Sequence, residues 1–181
     1  MEMKYIILGL SLPVGILFSL LGGLMLAVIF VLLWIDKIII EPVKIPRYLG
    51  IEFATVSMIV IGIAHGYLIG FLFALIVIPI LEGIRQLLIP SNDEWPPFLP
   101  SISHAADGVV ALIAFVLKNN PLFIIFIVGL LVKYAINIFK DTVILGKPPD
   151  ILTPIPNFVF NMILVLTMTS LIEILMALNG A

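Results

Sequence analysis

Apolar residues fill long stretches of this chain, and few polar residues interrupt them. The longest apolar runs cover residues 5–35, 51–84 and 121–139. A helix of about 20 apolar residues is long enough to cross the hydrocarbon core of a bilayer. None of the runs shows the regular alternation of polar and apolar positions that the strands of a membrane barrel require. The pattern therefore predicts an all-α fold in which residues 1–181 form a single integral membrane domain.

Prolines, glycines and charged residues separate the apolar runs, and their spacing sets the number of helices. The breaks fall at residues 36–47, 90–103, 118–121 and 140–156. The run at 51–88 is too long for one span, so we expect two helices there, with a bend at Ala64-His65-Gly66. Residues 5–35 would extend about 45 Å as one helix, which requires steep tilt. We predict a polytopic transmembrane bundle of six helices, or of seven if residues 5–35 form a hairpin bent at Gly22-Gly23.

The basic residues indicate how this bundle is oriented. In the predicted topology most of them fall on one side of the membrane, whereas Lys118 falls on the other. Basic residues collect in cytoplasmic loops. We therefore expect a multi-pass protein of the cell membrane whose C-terminus lies on the non-cytoplasmic side. The predicted cytoplasmic residues are Lys37, Lys44, Arg47, Arg85, Lys140 and Lys147, joined by Lys4 if the first run is a hairpin.

Composition removes several classes of function. Only 11% of the residues are charged, the formal net charge is -2, and Lys and Arg form no cluster, so a nucleic-acid partner is excluded. Cysteine is absent, which excludes disulfides, thiolate metal sites and cysteine nucleophiles. No phosphate-binding glycine loop, nucleophile elbow or paired-histidine zinc motif is found. His104 and Asp107 are one helical turn apart, but no second histidine lies at ligand spacing. We predict neither an enzyme nor a resident metal or cofactor.

Small residues recur at every fourth position in two stripes. Such stripes allow helices to approach closely in lipid, where the hydrophobic force between helices is weak. We assign the first stripe to docking on a helix of another subunit, with packing inside the chain as the open alternative, and the second to helix packing inside the chain. The first stripe is Ser11, Gly15, Ser19 and Gly23, and the second is Gly62, Gly66, Gly70 and Ala74.

Polar residues inside the predicted spans are candidates for function, because a charge at the centre of a membrane helix costs at least ~2.5 kcal/mol. Most of the acidic candidates lie near helix ends, where water reaches them. Lys133, in contrast, lies in the middle third of its helix, with Asn137 one turn later. Asn157 and Asn161 form a similar pair on the next helix. We expect these four residues to form a site for an anionic or amide-bearing solute, or else hydrogen bonds that only join the helices.

Three segments together resemble a known family of membrane proteins. Residues 47–88 read RYLGIEFATVSMIVIGIAHGYLIGFLFALIVIPILEGIRQLL, and the later segments are WPPFLPSISHAADGVVALIAFVL and PIPNFVFNMIL. They are similar to the six-helix, membrane-embedded substrate-binding components of energy-coupling-factor vitamin transporters. Bacterial rod-shape membrane proteins of the same architecture share these features.

This resemblance implies a role and a place for each group of residues. The first stripe would dock on a transmembrane coupling subunit, and separate ATPase subunits would drive uptake. The solute would lie among the last three helices, which brings Lys133, Asn137, Asn157 and Asn161 forward. Two features differ from the family: the charge distribution places the first loop and the C-terminus on the opposite faces, and the expected pocket lacks tryptophan.

The leading hypothesis is an integral membrane component of a larger complex that binds a small solute for transport. The alternative is a non-catalytic structural or assembly subunit of a membrane protein complex. Both hypotheses predict the lipid bilayer and other membrane subunits as partners, and the first adds a small-molecule solute.

Overall fold

The computed structural model describes residues 3–43, 49–89, 96, 98–148 and 154–177. Lys44 and Arg47, which the sequence places in a cytoplasmic loop, lie outside these residues, as does most of the loop at 90–97. Seven helices make up the described part of the chain. They are α1 (Met3–Leu20), α2 (Leu24–Trp34, continued by a π-helical segment at Ile35–Ile40), α3 (Ala54–His65), α4 (Tyr67–Leu88, with a π-helical segment at Phe73–Val77), α5 (Ile102–Val116), α6 (Leu122–Phe139, continued by a π-helical segment at Lys140–Ile144) and α7 (Pro154–Ala177).

Two glycine turns divide the longest apolar runs. Gly23 separates α1 from α2 with φ of 104°, and Gly66 separates α3 from α4 with φ of 85°. Residues with a side chain rarely adopt these angles, whereas glycine adopts them without steric cost. The first apolar run is therefore a hairpin, which is the seven-helix alternative, and the bend predicted at 64–66 lies at Gly66.

Helix α3 is the centre of the bundle. All nine residues from 54 to 62 are buried, on every face of the helix. A helix that is buried on all sides needs partners all round it, and α3 packs against α2, α4, α5, α6 and α7. The core of the protein is therefore built around α3, whereas α1 packs against α2 and α4 at the edge of the bundle.

The second stripe of small residues makes the closest contacts in this core. A Cβ atom added to Gly62 would lie 2.3 Å from the Ala111 carbonyl oxygen, and one added to Gly70 would lie 2.2 Å from the Ala111 Cβ atom. Gly66 forms the turn, and Ala74 is fully buried. Helices α3 and α4 thus both touch α5 at Ala111, with no room for a larger side chain at either glycine. This is the packing role that the sequence predicts.

The first stripe packs inside the chain rather than facing outward. The Ser11 hydroxyl accepts a hydrogen bond of 2.9 Å from the Trp34 indole, and a Cβ atom added to Gly15 would lie 1.9 Å from the Phe30 ring. Ser19 is the one buried residue of α1, and Gly23 forms the turn to α2. The close contact that we predicted with another subunit is made here with α2, because the hairpin places α2 directly against this face of α1.

The outer surface of the bundle is apolar. Large side chains such as Leu17, Phe18 and Leu166 are 65%, 73% and 71% exposed. Within the residues that the structure describes, three helices are long and apolar enough to cross a membrane, namely Met3–Leu20, Tyr67–Leu88 and Leu122–Ile144, and shorter apolar helices pack beside them. Hydrocarbon surroundings suit such a surface, whereas water does not.

We expect Gly62→Ala to lower the free energy of unfolding by about 1–3 kcal/mol, because the added methyl group meets the backbone of α5 rather than a flexible side chain. Gly9→Ala is the matched control, since nothing lies within 4 Å of a Cβ atom there. The measurement is thermal unfolding of both variants in detergent. Equal midpoints for the two variants would contradict the close approach of α3 to α5.

Candidate functional site

A cavity of about 720 Å³ lies at one end of the bundle. It is bounded by the end of α2, the segment leading into α3, the end of α4, the start of α5, the end of α6 and the start of α7. Its lining is strongly charged. The described part of the chain contains 14 Lys, Arg, Asp and Glu residues, and eleven of them line this one cavity. The few charges of a very apolar chain are therefore concentrated in one place.

The first group of charges, which we call the Lys133 cluster, consists of Lys133, Glu52, Asp107 and Thr55. The Lys133 ammonium forms an ion pair with Glu52, an ion pair of 2.7 Å with Asp107 and a hydrogen bond of 2.9 Å to the Thr55 hydroxyl. Lys133 and Asp107 are 6% and 5% exposed. Three parts of the fold meet at this ammonium group: α6, α5 and the beginning of α3. Two carboxylates share one cation, so the cluster has one more acidic group than basic groups.

Asn157 extends this cluster to α7. Its amide donates hydrogen bonds of 2.9 Å to Glu52 and 3.0 Å to the Gly50 carbonyl, and its own oxygen accepts one of 2.5 Å from the Tyr134 hydroxyl. The Asn161 amide donates to the Asn157 carbonyl at 2.9 Å. Asn157 thus fixes the position of Glu52, while Asn161 supports Asn157 from one turn below.

A second group of charges, the Glu82 cluster, faces the same cavity and consists of Lys37, Glu41, Glu82, Arg85 and His104. Lys37 bridges Glu41 and Glu82 at 3.3 and 3.2 Å, Arg85 pairs with Glu41 at 2.5 Å, and His104 lies 3.0 Å from Glu82. These contacts tie the ends of α2 and α4 to the beginning of α5. All five residues are mostly shielded from water, so the ion pairs are screened less than surface pairs.

The start of α5 is held by a reciprocal cap. The Ser101 side chain accepts from the His104 backbone amide, and the His104 Nδ1 atom accepts a hydrogen bond of 2.8 Å from the Ser101 backbone amide. Such a cap satisfies two amides at the helix start. It also fixes the tautomer, since Nδ1 is the acceptor and Nε2 is the atom that donates to Glu82.

The end of α6 carries further polar groups into the cavity. Asn137 accepts a hydrogen bond of 3.1 Å from the Ser103 hydroxyl, which in turn accepts one of 3.0 Å from Lys140. Lys140 also pairs with Asp141 at 3.3 Å. Lys140 and Asp141 belong to the π-helical segment of α6, just as Asp36 and Lys37 belong to that of α2. Wide turns of this kind often occur at functional sites.

Electrostatics keep Glu52 ionised in this setting. Burial alone would raise the pKa of its carboxyl group, but the positive charges of Lys133 and Lys37 and the hydrogen bonds from Lys133 and Asn157 hold the pKa below its ordinary value. The carboxylate therefore remains charged at neutral pH, which keeps the ion pair with Lys133 in place.

Three of the four residues that the sequence proposes as a solute site line the cavity, and the fourth does not. Lys133, Asn137 and Asn157 line the cavity, whereas Asn161 is fully buried behind Asn157. The structure therefore brings three of the four to one open volume and gives the fourth a supporting position.

The acidic residues of this site are absent from the four-residue site that the sequence proposes. The sequence names Glu52 as a candidate near a predicted helix start, where water can reach it, yet in the structure Glu52 joins Lys133 to Asn157. It placed Asp36 in a loop, yet Asp36 lies in the π-helical extension of α2, lines the cavity and is 3% exposed. In the sequence, Asp36 directly follows an apolar run. An acidic residue in that position is also typical of a solvated helix end, so the sequence alone does not assign it to a cavity.

The lining presents many polar groups to the cavity. Among the described residues, no group of three or more His, Asp and Glu side chains is arranged to hold a metal ion. Each carboxylate of the Lys133 cluster is engaged by a cation or an amide. The lining offers many directed donors and acceptors, which is what recognition of a polar molecule requires.

Comparisons of this chain with protein-family models, with curated proteins and with solved structures find no match. The resemblance to substrate-binding transporter components therefore stays a prediction from the sequence.

We expect Lys133→Met to lower the free energy of unfolding by about 3–5 kcal/mol, because it leaves the buried carboxylate of Asp107 and the partly buried carboxylate of Glu52 without their cation. The double variant Lys133→Met/Asp107→Asn should recover part of that loss, since one of the two charges is then gone. Thermal unfolding of both variants in detergent measures the effect, with Lys118→Met at the opposite end of the bundle as the control. A single variant as stable as this control would show that the ion pairs do not hold the helices together.

Proposed function

We propose that this chain is an integral membrane protein that binds a small, polar, charged solute in the cavity and serves as the solute-binding component of a transport complex. The observation that supports the proposal is the combination of a cavity of about 720 Å³ with eleven ionisable Lys, Arg, Asp and Glu residues in its lining.

Both parts of this observation matter. Sites for small molecules have volumes of ~300–1,000 Å³, so the cavity is of suitable size. Ionisable residues placed inside a membrane protein are costly, and a bundle that needs only to pack can do without them. A cavity that collects these residues is better explained by a ligand than by packing.

The proposed orientation places the cavity at the cytoplasmic end. Lys37, Arg85, Lys140 and Lys147 all line it, and basic residues favour that side. In this orientation the solute enters or leaves through the cytoplasmic face. Access from the other side would require a second arrangement of the helices, which partner subunits could stabilise by binding it more tightly. The energy would come from separate subunits, because the sequence contains no phosphate-binding loop.

A structural or assembly subunit is the alternative, and one observation favours it. Helix α1 contacts the bundle along one face and leaves large apolar side chains, such as Leu10, Val14 and Leu17, exposed on the other. Another membrane helix would fit against this face. Acyl chains cover such a face equally well, however, so the cavity remains the more informative feature.

Retention of a ligand tests the proposal. Protein purified gently from its membranes should carry a small molecule that native mass spectrometry detects as an added mass. We expect Asn137→Leu to lower the occupancy at least tenfold, because it removes a polar group from the lining and adds an apolar one. Asn120→Leu is the matched control, since Asn120 lies in an exposed loop at the opposite end.

Two results would count against solute binding in this cavity. One is equal ligand occupancy in the Asn137→Leu and Asn120→Leu variants. The other is the absence of any added mass in the unaltered protein together with intact association with other membrane proteins, which would favour the structural alternative.

The orientation can be measured separately, because the chain has no cysteine of its own. We expect a membrane-impermeant maleimide to label Asn120→Cys in intact cells and to label Leu145→Cys only after the cells are opened. Leu145 is 48% exposed and lines the cavity end. The reverse labelling pattern would place the cavity on the outer face.

A further inference from the structure

One buried carboxylate in the cavity, that of Asp36, belongs to neither of the two clusters of ion pairs. Asp36 is 3% exposed and lines the cavity. The Phe53 backbone interacts with its carboxylate, but the Oδ2 atom is buried without a hydrogen-bond partner among the described residues. The adjacent Lys37 forms its ion pairs with Glu41 and Glu82. The Oδ2 atom of Asp36 is therefore an acceptor that lacks a donor.

The Asp36 carboxylate lies near other acidic residues of the cavity. Lys37 attracts the Asp36 carboxylate, whereas Glu52 and Glu41 repel it. Glu52 and Asp107 already share the single ammonium group of Lys133. Buried polar groups are nearly always hydrogen-bonded, and a buried charge without a partner is especially costly. A bound positive charge would supply the missing donor and relieve the repulsion.

We infer that the solute carries a positively charged nitrogen group, an ammonium or a guanidinium, and that Asp36 receives it. This inference rests on the proposed function and assigns the chemical class of the solute. Hydrogen bonds between such groups and carboxylates are short and strong. The remaining donors and acceptors of the lining, among them Asn137 and Gln86, would then contact the polar remainder of the molecule.

An organic cation fits this position better than a metal ion. A metal ion of biological size takes several oxygen or nitrogen ligands at once. Asp36 offers one free oxygen, and the described residues include no group of three His, Asp and Glu side chains arranged around a metal. An ammonium group, in contrast, can donate one hydrogen bond to Asp36 and direct the others to water or to neighbouring oxygens.

Three compounds with the same four-carbon chain but different charge test this inference. They are putrescine, which is cationic, 1,4-butanediol, which is neutral, and succinate, which is anionic. Binding of each to the purified protein, freed of retained ligand, is measured by titration calorimetry in detergent. We expect putrescine to bind at least tenfold more tightly than the other two compounds. Because this ranking uses the unaltered protein, it holds whether or not any variant folds.

Asp36→Asn then tests the residue. The substitution preserves the shape of the side chain and removes its charge, so we expect putrescine to bind about tenfold or more weakly. Ligand-free Asp36→Asn should unfold at a temperature no lower than the ligand-free unaltered protein, because asparagine keeps an oxygen for the Phe53 backbone and the Oδ2 atom has no hydrogen bond to lose. Glu173→Gln, on an exposed position of α7, is the control for removal of one negative charge.

The outcomes distinguish the assignment of a cationic solute from the proposal of solute binding itself. Tighter binding of succinate or butanediol than of putrescine, or unchanged putrescine binding in Asp36→Asn, would overturn the assignment of a cationic solute and leave solute binding intact. A clear loss of stability in ligand-free Asp36→Asn would show that Asp36 has a structural partner and would also overturn it. Failure of all three compounds to bind, together with no retained ligand in the unaltered protein, would reject the proposed function itself.

Discussion

The ammonium group of Lys133 is the contact on which the arrangement of the bundle depends. It lies almost out of reach of water, and it touches carboxylates from the segment before α3 and from α5. In hydrocarbon there is little hydrophobic force between helices, so directed polar contacts and close packing decide which helices are neighbours. A buried cation that requires two particular carboxylates permits only one relative placement of α3, α5 and α6.

On α5, close packing begins one turn after Asp107. Asp107 and Ala111 are four residues apart and therefore lie on one face of α5. Asp107 faces the cavity, and Ala111 meets Gly62 and Gly70 at distances that exclude a larger side chain. The glycine contacts bring the helices close together beyond the cavity, and the charged side chains line the cavity at the other end. One face of α5 therefore lines the cavity at Asp107 and packs against α3 and α4 at Ala111.

The charges of the cavity form two nearly self-contained groups, and this division explains how so many can be buried together. Lys37 and Arg85 balance Glu41 and Glu82, and Lys133 partly balances Glu52 and Asp107. Buried ion pairs contribute little net stability, because desolvation offsets their attraction. Such pairs specify which helices meet rather than how stable the bundle is, and Asp36 is the member of the lining that the proposed cationic solute would complete.

The sequence by itself determined the all-helical class, most of the helical segments and the bend at residues 64–66, and it singled out Lys133 as a charged residue inside a helix, because hydropathy and glycine conformation act locally along the chain. It left the choice between one helix and a hairpin at residues 5–35 open, since both satisfy the same hydropathy. Only the tertiary structure decided that the first small-residue stripe faces α2, that Glu52 pairs with Lys133 across 81 positions of sequence, and that Asp36 enters the cavity. These outcomes depend on which helices are neighbours, and contacts between distant segments have no signature in the spacing of residues along a single chain.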